Sequence, residues 1–232
     1  MSRRTLDLRR GTMAVKNLIR FPVLTVQSPT DPRESRGSAA AGPEDCHALN
    51  VTLQTKDMHK ILGDWVLVWS VTDHDQGNAV ALNITSSHVE FRLNDDNKTV
   101  TFTERTKFTH QTCVTYIINL TMPTDPLDST LISFTGAMEK DGLLEVYNDT
   151  ETVNVFETVG PDCLSMVWKD SEGRFLHNYR REGHHRDVEN LKADHSDHYK
   201  QAACLGFPAN AKPFSYDGAA GHFLSGFSSH RL

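Results

Sequence analysis

The chain has 232 residues, 38% of them apolar, and carries a net charge of −6 at neutral pH. That length suits one large domain with tails rather than two full-sized domains, and the acidic balance argues against nucleic acid as the main partner. No apolar run approaches the roughly 18–20 residues that a membrane-spanning helix needs, so no membrane span is expected.

The charge is unevenly spread. Residues 1–40 hold eight Lys or Arg against three acids, a net of +5, and the remainder carries −11. With Pro22, Pro29, Pro32, Pro43 and the small-residue stretch Ser38–Gly42, this composition predicts a disordered basic tail over 1–44. A folded body follows over 45–218, then a flexible C-terminal tail over 219–232.

A short helical turn is expected at Lys56–Leu62. From Trp65 onward, apolar residues alternate with period two in eight stretches: Trp65–Thr72, Ser87–Leu93, Thr99–Phe108, Cys113–Met122, Thr130–Met138, Thr152–Val159, Cys163–Lys169 and Arg174–Arg181. The breaks carry turn chemistry, among them Asn94–Asn97, Pro123–Pro126, Asp141-Gly142, Gly160–Asp162 and Glu172-Gly173. No connection leaves room for a helical crossover, so sequential antiparallel strands are expected, closing into an all-β barrel or sandwich. Beyond Gly183 the period changes: Val188, Leu191, His195, Tyr199 and Ala202 recur every three or four residues, which predicts one amphipathic helix laid on the sheet and stopped by Gly206 and Pro208.

Five Asn-x-Thr sequons, at Asn50, Asn83, Asn97, Asn119 and Asn148, exceed the one or two that 12 Asn residues would scatter by accident. They predict a secreted, extracellular protein bearing N-glycans at its surface. A signal-peptide pattern is not evident in the N-terminal segment: its best apolar run, Phe21–Val26, is short and broken by Pro22, and its Arg-rich start also fits an organelle transit peptide. The sequons outweigh that conflict. Four cysteines, Cys46, Cys113, Cys163 and Cys204, allow three full pairings, and spacing alone does not choose among them.

A glycan at Asn119 would turn Thr115, Ile117 and Thr121 outward and set Val114, Tyr116, Ile118, Leu120 and Met122 inside. The same alternation predicts Trp65, Leu67, Trp69 and Val71 inside, Phe91 with Val89 and Leu93, Phe134 with Ile132 and Met138, Met166 with Leu164 and Trp168, and Tyr179 with Phe175, His177 and Arg181. Two carboxylates break the apolar lining. Glu104 shares a face with Val100, Phe102 and Phe108, and Glu157 with Val153, Val155 and Val159. A carboxylate inside a barrel is costly unless paired or solvated, so each is a candidate counter-charge for a cationic ligand or an end open to water.

Gly63-Asp64-Trp65 at the start of the first strand, eight strands, and a helix after the eighth resemble the lipocalins. The stretches Gly63–Ser70, Ser86–Arg92, Met122–Asp125, Gly173–Leu176, Tyr179–Gly183 and Cys204–Pro208 are similar to the toxin-binding lipocalins of fish plasma, glycoproteins akin to alpha-1-acid glycoprotein; the likeness runs from about Cys46 to Gly218. The resemblance implies an eight-stranded antiparallel up-and-down barrel with one C-terminal α-helix packed on it. It implies that Gly63 and Trp65 close the base beneath a basic residue, for which parity selects Arg181, and that Cys46 bonds Cys204. Of the family's Thr-Asp-Tyr motif only Asp162 is matched. Cys113 and Cys163 fall at opposite ends of such a barrel and are not expected to pair. The ligand implied is a small hydrophobic or cationic molecule, a guanidinium toxin of the saxitoxin type or an organotin, held by Trp69, Phe91, Phe102, Glu104, Tyr116, Ile118, Phe134, Met166 and Tyr179.

An enzyme of this family would need an interior cysteine beside a base, and Cys163 has outward parity. No Gly-x-Ser-x-Gly, phosphate-loop or His-Glu-x-x-His pattern occurs. His184, His185, His195 and His198 lack the short-spaced four-ligand pattern of structural zinc, so neither a metal nor a cofactor is expected.

Overall fold

The structure, a computed structural model, describes residues 43–218. The basic tail over 1–44 thus lies outside the described residues except for its last two positions, which begin a helix. The C-terminal tail over 219–232 lies outside them too.

Helix α1 (Pro43–Leu49) and a 3₁₀ turn at Thr55–Ile61 precede β1 (Gly63–Thr72). A short helix, α2 (Asp75–Ala81), leads to β2 (Ile84–Leu93), β3 (Thr99–Phe108) and β4 (Cys113–Thr121). Next come β5 (Thr130–Ser133), β6 (Gly136–Lys140), β7 (Leu143–Tyr147), β8 (Glu151–Phe156), β9 (Cys163–Lys169) and β10 (Arg174–Arg181). Helices α3 (Val188–Ala193) and α4 (His195–Cys204) and a two-residue strand, β11 (Phe214–Ser215), end the described chain. Among these residues no helix is long and apolar enough to cross a membrane.

The strands close a ring in the order β1-β2-β3-β4-β5-β8-β9-β10, with β10 returning to β1 and every pair antiparallel. This is the expected eight-stranded barrel, with two of its staves each broken in two. The expected strand Thr130–Met138 is β5 and β6, and the stave after it is β7 and β8. β4 meets Ile132 through Thr121 but Gly136 through Ile118, so the broken stave carries one residue more than its neighbour. A bulge of this kind reverses the alternation of side chains. Leu131 and Met138 consequently face inward, whereas Phe134, expected inside, is 64% exposed.

A second bulge corrects the placement of Trp69. Leu67 opposes Tyr179, yet Trp69 opposes Asn178, the very next residue, so β1 gains a residue between them. Trp65 and Leu67 remain in the barrel core, while Trp69 and Val71 turn to the outer face and pack with Phe156, Val167, Leu176 and Ala202 beneath α4. The Trp69 ring lies 5.4 Å from both His198 and Tyr199. Strand β8 stops at Phe156, so Glu157, expected on the inner face, is exposed, as is Val159 beyond it.

The expected single helix after Gly183 is two, α3 and α4, broken at Asp194. A disulfide from Cys46 to Cys204 joins α1 to the end of α4. The Ser165 hydroxyl donates to the Gln201 side-chain carbonyl at 2.9 Å, and the Gln201 amide donates in turn to the Leu49 carbonyl at 3.2 Å. Arg180 of β10 pairs with Asp194 at the break.

Candidate functional site

At the base of the barrel the Arg181 guanidinium lies 4.2 Å from the centre of the Trp65 ring. Arg181 donates to the Leu62 and Lys60 carbonyls at 3.2 and 3.3 Å, and the Trp65 indole donates to the Ile61 carbonyl at 2.7 Å. The 3₁₀ turn is therefore clamped across the bottom by two side chains, and the cation–π contact adds about 0.5–2 kcal/mol. Gly63 is required here: its φ is +119°, and a Cβ would stand 2.7 Å from Arg181 Nη1.

Phe91, Met166 and Tyr179 are fully buried among the apolar side chains of the barrel core. Phe91 and Phe102 rings are 5.2 Å apart, and Phe102 and Trp168 rings 4.7 Å apart. Phe102 and Trp168 form the apolar floor of a cavity of about 240 Å³. Ile118, Tyr116, Phe175 and Tyr147 contribute to its walls, and Val80, Ala81 and Gly77 of α2 stand at its mouth. Of the nine side chains expected to meet a ligand, Phe102, Glu104, Tyr116 and Ile118 line this cavity. Phe91, Met166 and Tyr179 support it from the core, and Trp69 and Phe134 lie outside the barrel.

The polar groups of the lining are few and specific. Glu104 accepts from the Ser87 hydroxyl at 2.6 Å and the Thr106 hydroxyl at 3.1 Å, and it opposes Tyr116 across the β3–β4 ladder. Burial raises its carboxyl above the ordinary range, against the pull of those two hydrogen bonds. Glu151, at the start of β8, accepts only a long hydrogen bond, 3.5 Å, from the Tyr147 hydroxyl, and its Oε2 is buried without a partner. Burial, then the negative charges of Asp149 and Asp170, push Glu151 up to about 7. His177 shares a 2.8 Å hydrogen bond with Ser70, and burial lowers it to about 3, so it is a neutral imidazole.

Several of these residues escaped the sequence. Trp168, Phe175 and His177 carry the inward parity of their strands and were legible as lining. Glu151 shares the face of Val153 and Val155, but it sits one residue before the expected strand. Tyr147 lies on β7, whose sequence, Leu143 to Tyr147, lacks a clean alternation. The α2 residues follow no period that marks them as a cover.

Asn97, Asn119 and Asn148 are exposed, whereas Asn50 and Asn83 are half-buried, and Asn83 borders the cavity mouth. Cys113 and Cys163 are free thiols. Cys163 accepts a hydrogen bond from Arg180 at 2.7 Å and is absent from the cavity lining.

A sealed base, an apolar floor and one open end with a few buried polar groups define a barrel of the small-molecule-binding class. Its fold is that of the lipocalins. The chain is 40% identical over 196 residues, 84% of its length, to saxitoxin and tetrodotoxin-binding proteins 1 and 2 of Takifugu pardalis. It spans about half, 49%, of the length of those curated relatives. No protein-family model matches. Among solved structures, the siderocalin Ex-FABP superposes with a TM-score of 0.50 at 12% identity, covering 70% of this chain and 97% of that one. The amine-binding protein of Rhodnius prolixus, in its tryptamine complex, gives 0.51 at 12% identity, covering 68% and 80%. At that identity these two structures speak for the fold alone.

Proposed function

We propose that this chain is a secreted, N-glycosylated, non-catalytic carrier that holds one small organic molecule, apolar or cationic, in the barrel. The observation that carries the reading is the cavity of about 240 Å³ between the Phe102–Trp168 floor and α2, an interior that the chain's own side chains leave unfilled. An apolar floor supplies the driving force for capture and the buried polar groups supply selectivity. The names of the Takifugu pardalis relatives supply the first ligands to try, saxitoxin and tetrodotoxin. Both are guanidinium compounds, for which Glu104 is a counter-charge; a trialkyltin combines a cationic centre with apolar arms in the same way. Secretion is supported by the five sequons, three with exposed Asn, and by the Cys46–Cys204 disulfide. Non-catalytic binding is supported by relatives named as binding proteins.

Tryptophan emission of the full chain tests this directly, because Trp168 lines the cavity while Trp65 and Trp69 do not. Titration with saxitoxin, tetrodotoxin, tributyltin and a neutral apolar compound is expected to alter emission at micromolar concentration, and Trp168→Phe is expected to abolish the response. An unchanged spectrum with every compound overturns the carrier reading.

A further inference from the structure

The cavity holds more negative charge than its apolar floor explains. Glu104 of β3, Tyr116 of β4, Tyr147 of β7 and Glu151 of β8 all line it, with Glu104 opposite Tyr116 in the β3–β4 ladder and the Tyr147 hydroxyl donating to Glu151 at 3.5 Å, so the four side chains form one cluster. Neither carboxylate has an ion-pair partner among the described residues. Glu104 is held by two hydroxyls, and Glu151 has one weak hydrogen bond and a buried oxygen with none.

The other titratable and charged groups facing this space do not compensate. Asp170 and Glu172 enter the lining from the β9–β10 turn, and Asp149 stands beside β8. His177 of β10 is neutral, and Tyr179 next to it lies deeper in the core. His74 and His110 border the mouth, and Lys140 and Lys169 lie in the wall. The largest charge influences on Glu151 are nevertheless Asp149 and Asp170, both acidic. Two carboxylates without a cation in a desolvated space are costly, and the accessible remedy is to hold a proton.

We propose that capture in this cavity exchanges a cation for a proton: an organic cation seats its positive group between Glu104 and Glu151, beside the Tyr116 and Tyr147 rings, and one proton leaves the carboxylate pair for solvent. This rests on the carrier reading and deepens it, for it names the ligand class as an organic cation with an apolar body. Where the pair holds its proton the exchange leaves the net charge of the cavity unchanged, and where it has already ionised the cation neutralises the charge directly, so no second ion is needed. Glu151 supplies the proton, being about half protonated near pH 7. Glu104, deeper and fixed by Ser87 and Thr106, orients the bound cation. Neutral ligands gain nothing from the exchange.

Calorimetry on the full chain, with benzylguanidinium and its neutral isostere benzylurea as probes, tests the exchange. Benzylguanidinium remains charged across the range studied, so any proton released comes from the protein. At pH 7, in buffers of different ionisation enthalpy, its binding is expected to release about half a proton, and its Kd to tighten about tenfold from pH 6 to pH 8 as Glu151 ionises. Benzylurea is expected to show neither effect. Glu151→Gln removes the proton release and flattens the pH dependence; Glu104→Gln weakens benzylguanidinium at every pH and spares benzylurea, which also reports that each variant has folded. Release-free, pH-independent binding of benzylguanidinium, or an unaltered profile in Glu151→Gln, overturns the exchange and leaves the carrier reading intact. If neither probe nor any compound tried against Trp168 binds, both fall together.

Discussion

Glu151 has a consequence for stability that is independent of any ligand. Its carboxyl titrates near 7 in the fold against an ordinary value of 4.5, so the native state prefers it protonated. Below about pH 4.5 the folded and unfolded chains both hold that proton and the residue costs nothing. From about pH 4.5 to 7 the unfolded chain gives up that proton while the folded chain keeps it, so the penalty grows to about 3 kcal/mol by pH 7 and levels off above it, where both states are ionised. Glu151→Gln keeps the shape and the acceptor for Tyr147 and removes the charge. Urea melts are expected to find this variant more stable than the parent by about 2–3 kcal/mol at pH 8 and unchanged at pH 4. His177, also buried in the lining, avoids the same cost by staying neutral, with a 2.8 Å hydrogen bond to Ser70.

At the scale of elements, two attachments hold the helices to the barrel by different physics. The outer faces of β1, β8, β9 and β10 bury Trp69, Phe156, Val167 and Leu176 against Ala202 of α4 and Phe207 just beyond it, and Arg174 caps the Phe207 ring at 4.6 Å. The Cys46–Cys204 bond spans 158 residues, and in the chain-entropy description a loop of that size stabilises by up to about 5 kcal/mol through the unfolded state. It joins helix to helix and crosses no strand pair. Replacing both cysteines by serine is therefore expected to lower the urea midpoint, by about 2–5 kcal/mol in free energy, while the far-ultraviolet β signal and any Trp168 response to ligand persist. Loss of the β signal in the double variant at low temperature would show that the bond shapes the barrel as well. The β6–β7 hairpin is held differently again: among the described residues β7 pairs with β6 on one side and with no strand on the other.

For the molecule as a whole, ring closure makes stability uneven. β1, β9 and β10 are hydrogen-bonded along both edges and enclose the core, whereas β7, among the described residues, leaves an edge unpaired and exposes Leu143, Leu144 and Val146. Hydrogen exchange is expected to reach β7 first and β1, β9 and β10 last, a ranking that mass spectrometry of peptides resolves. Much of this architecture was legible from the chain. Period-two alternation located the staves, Gly63-Asp64-Trp65 marked the base, and the parity of Phe175, His177 and Tyr179 chose Arg181 over Arg180 as the cation on Trp65. Alternation is a local property, and it held along most strands that kept register with their neighbours, although Leu93 at the end of β2, expected inside, is 40% exposed. It failed at the two bulges, because one inserted residue reverses every later side chain and only the partner strand reveals the insertion. Trp69 thus left the cavity for the underside of α4, and Phe134 left it for solvent. Glu151 and Tyr147 come from a stave broken in two, and they meet Glu104 and Tyr116 only when the ring closes. The sequence by itself determined antiparallel strands with one apolar face, a barrel or a sandwich, because alternation is local to each strand, and the resemblance to the lipocalins pointed to the closed barrel. Tertiary structure alone decided which carboxylates share the cavity, because that depends on register between strands far apart in the chain.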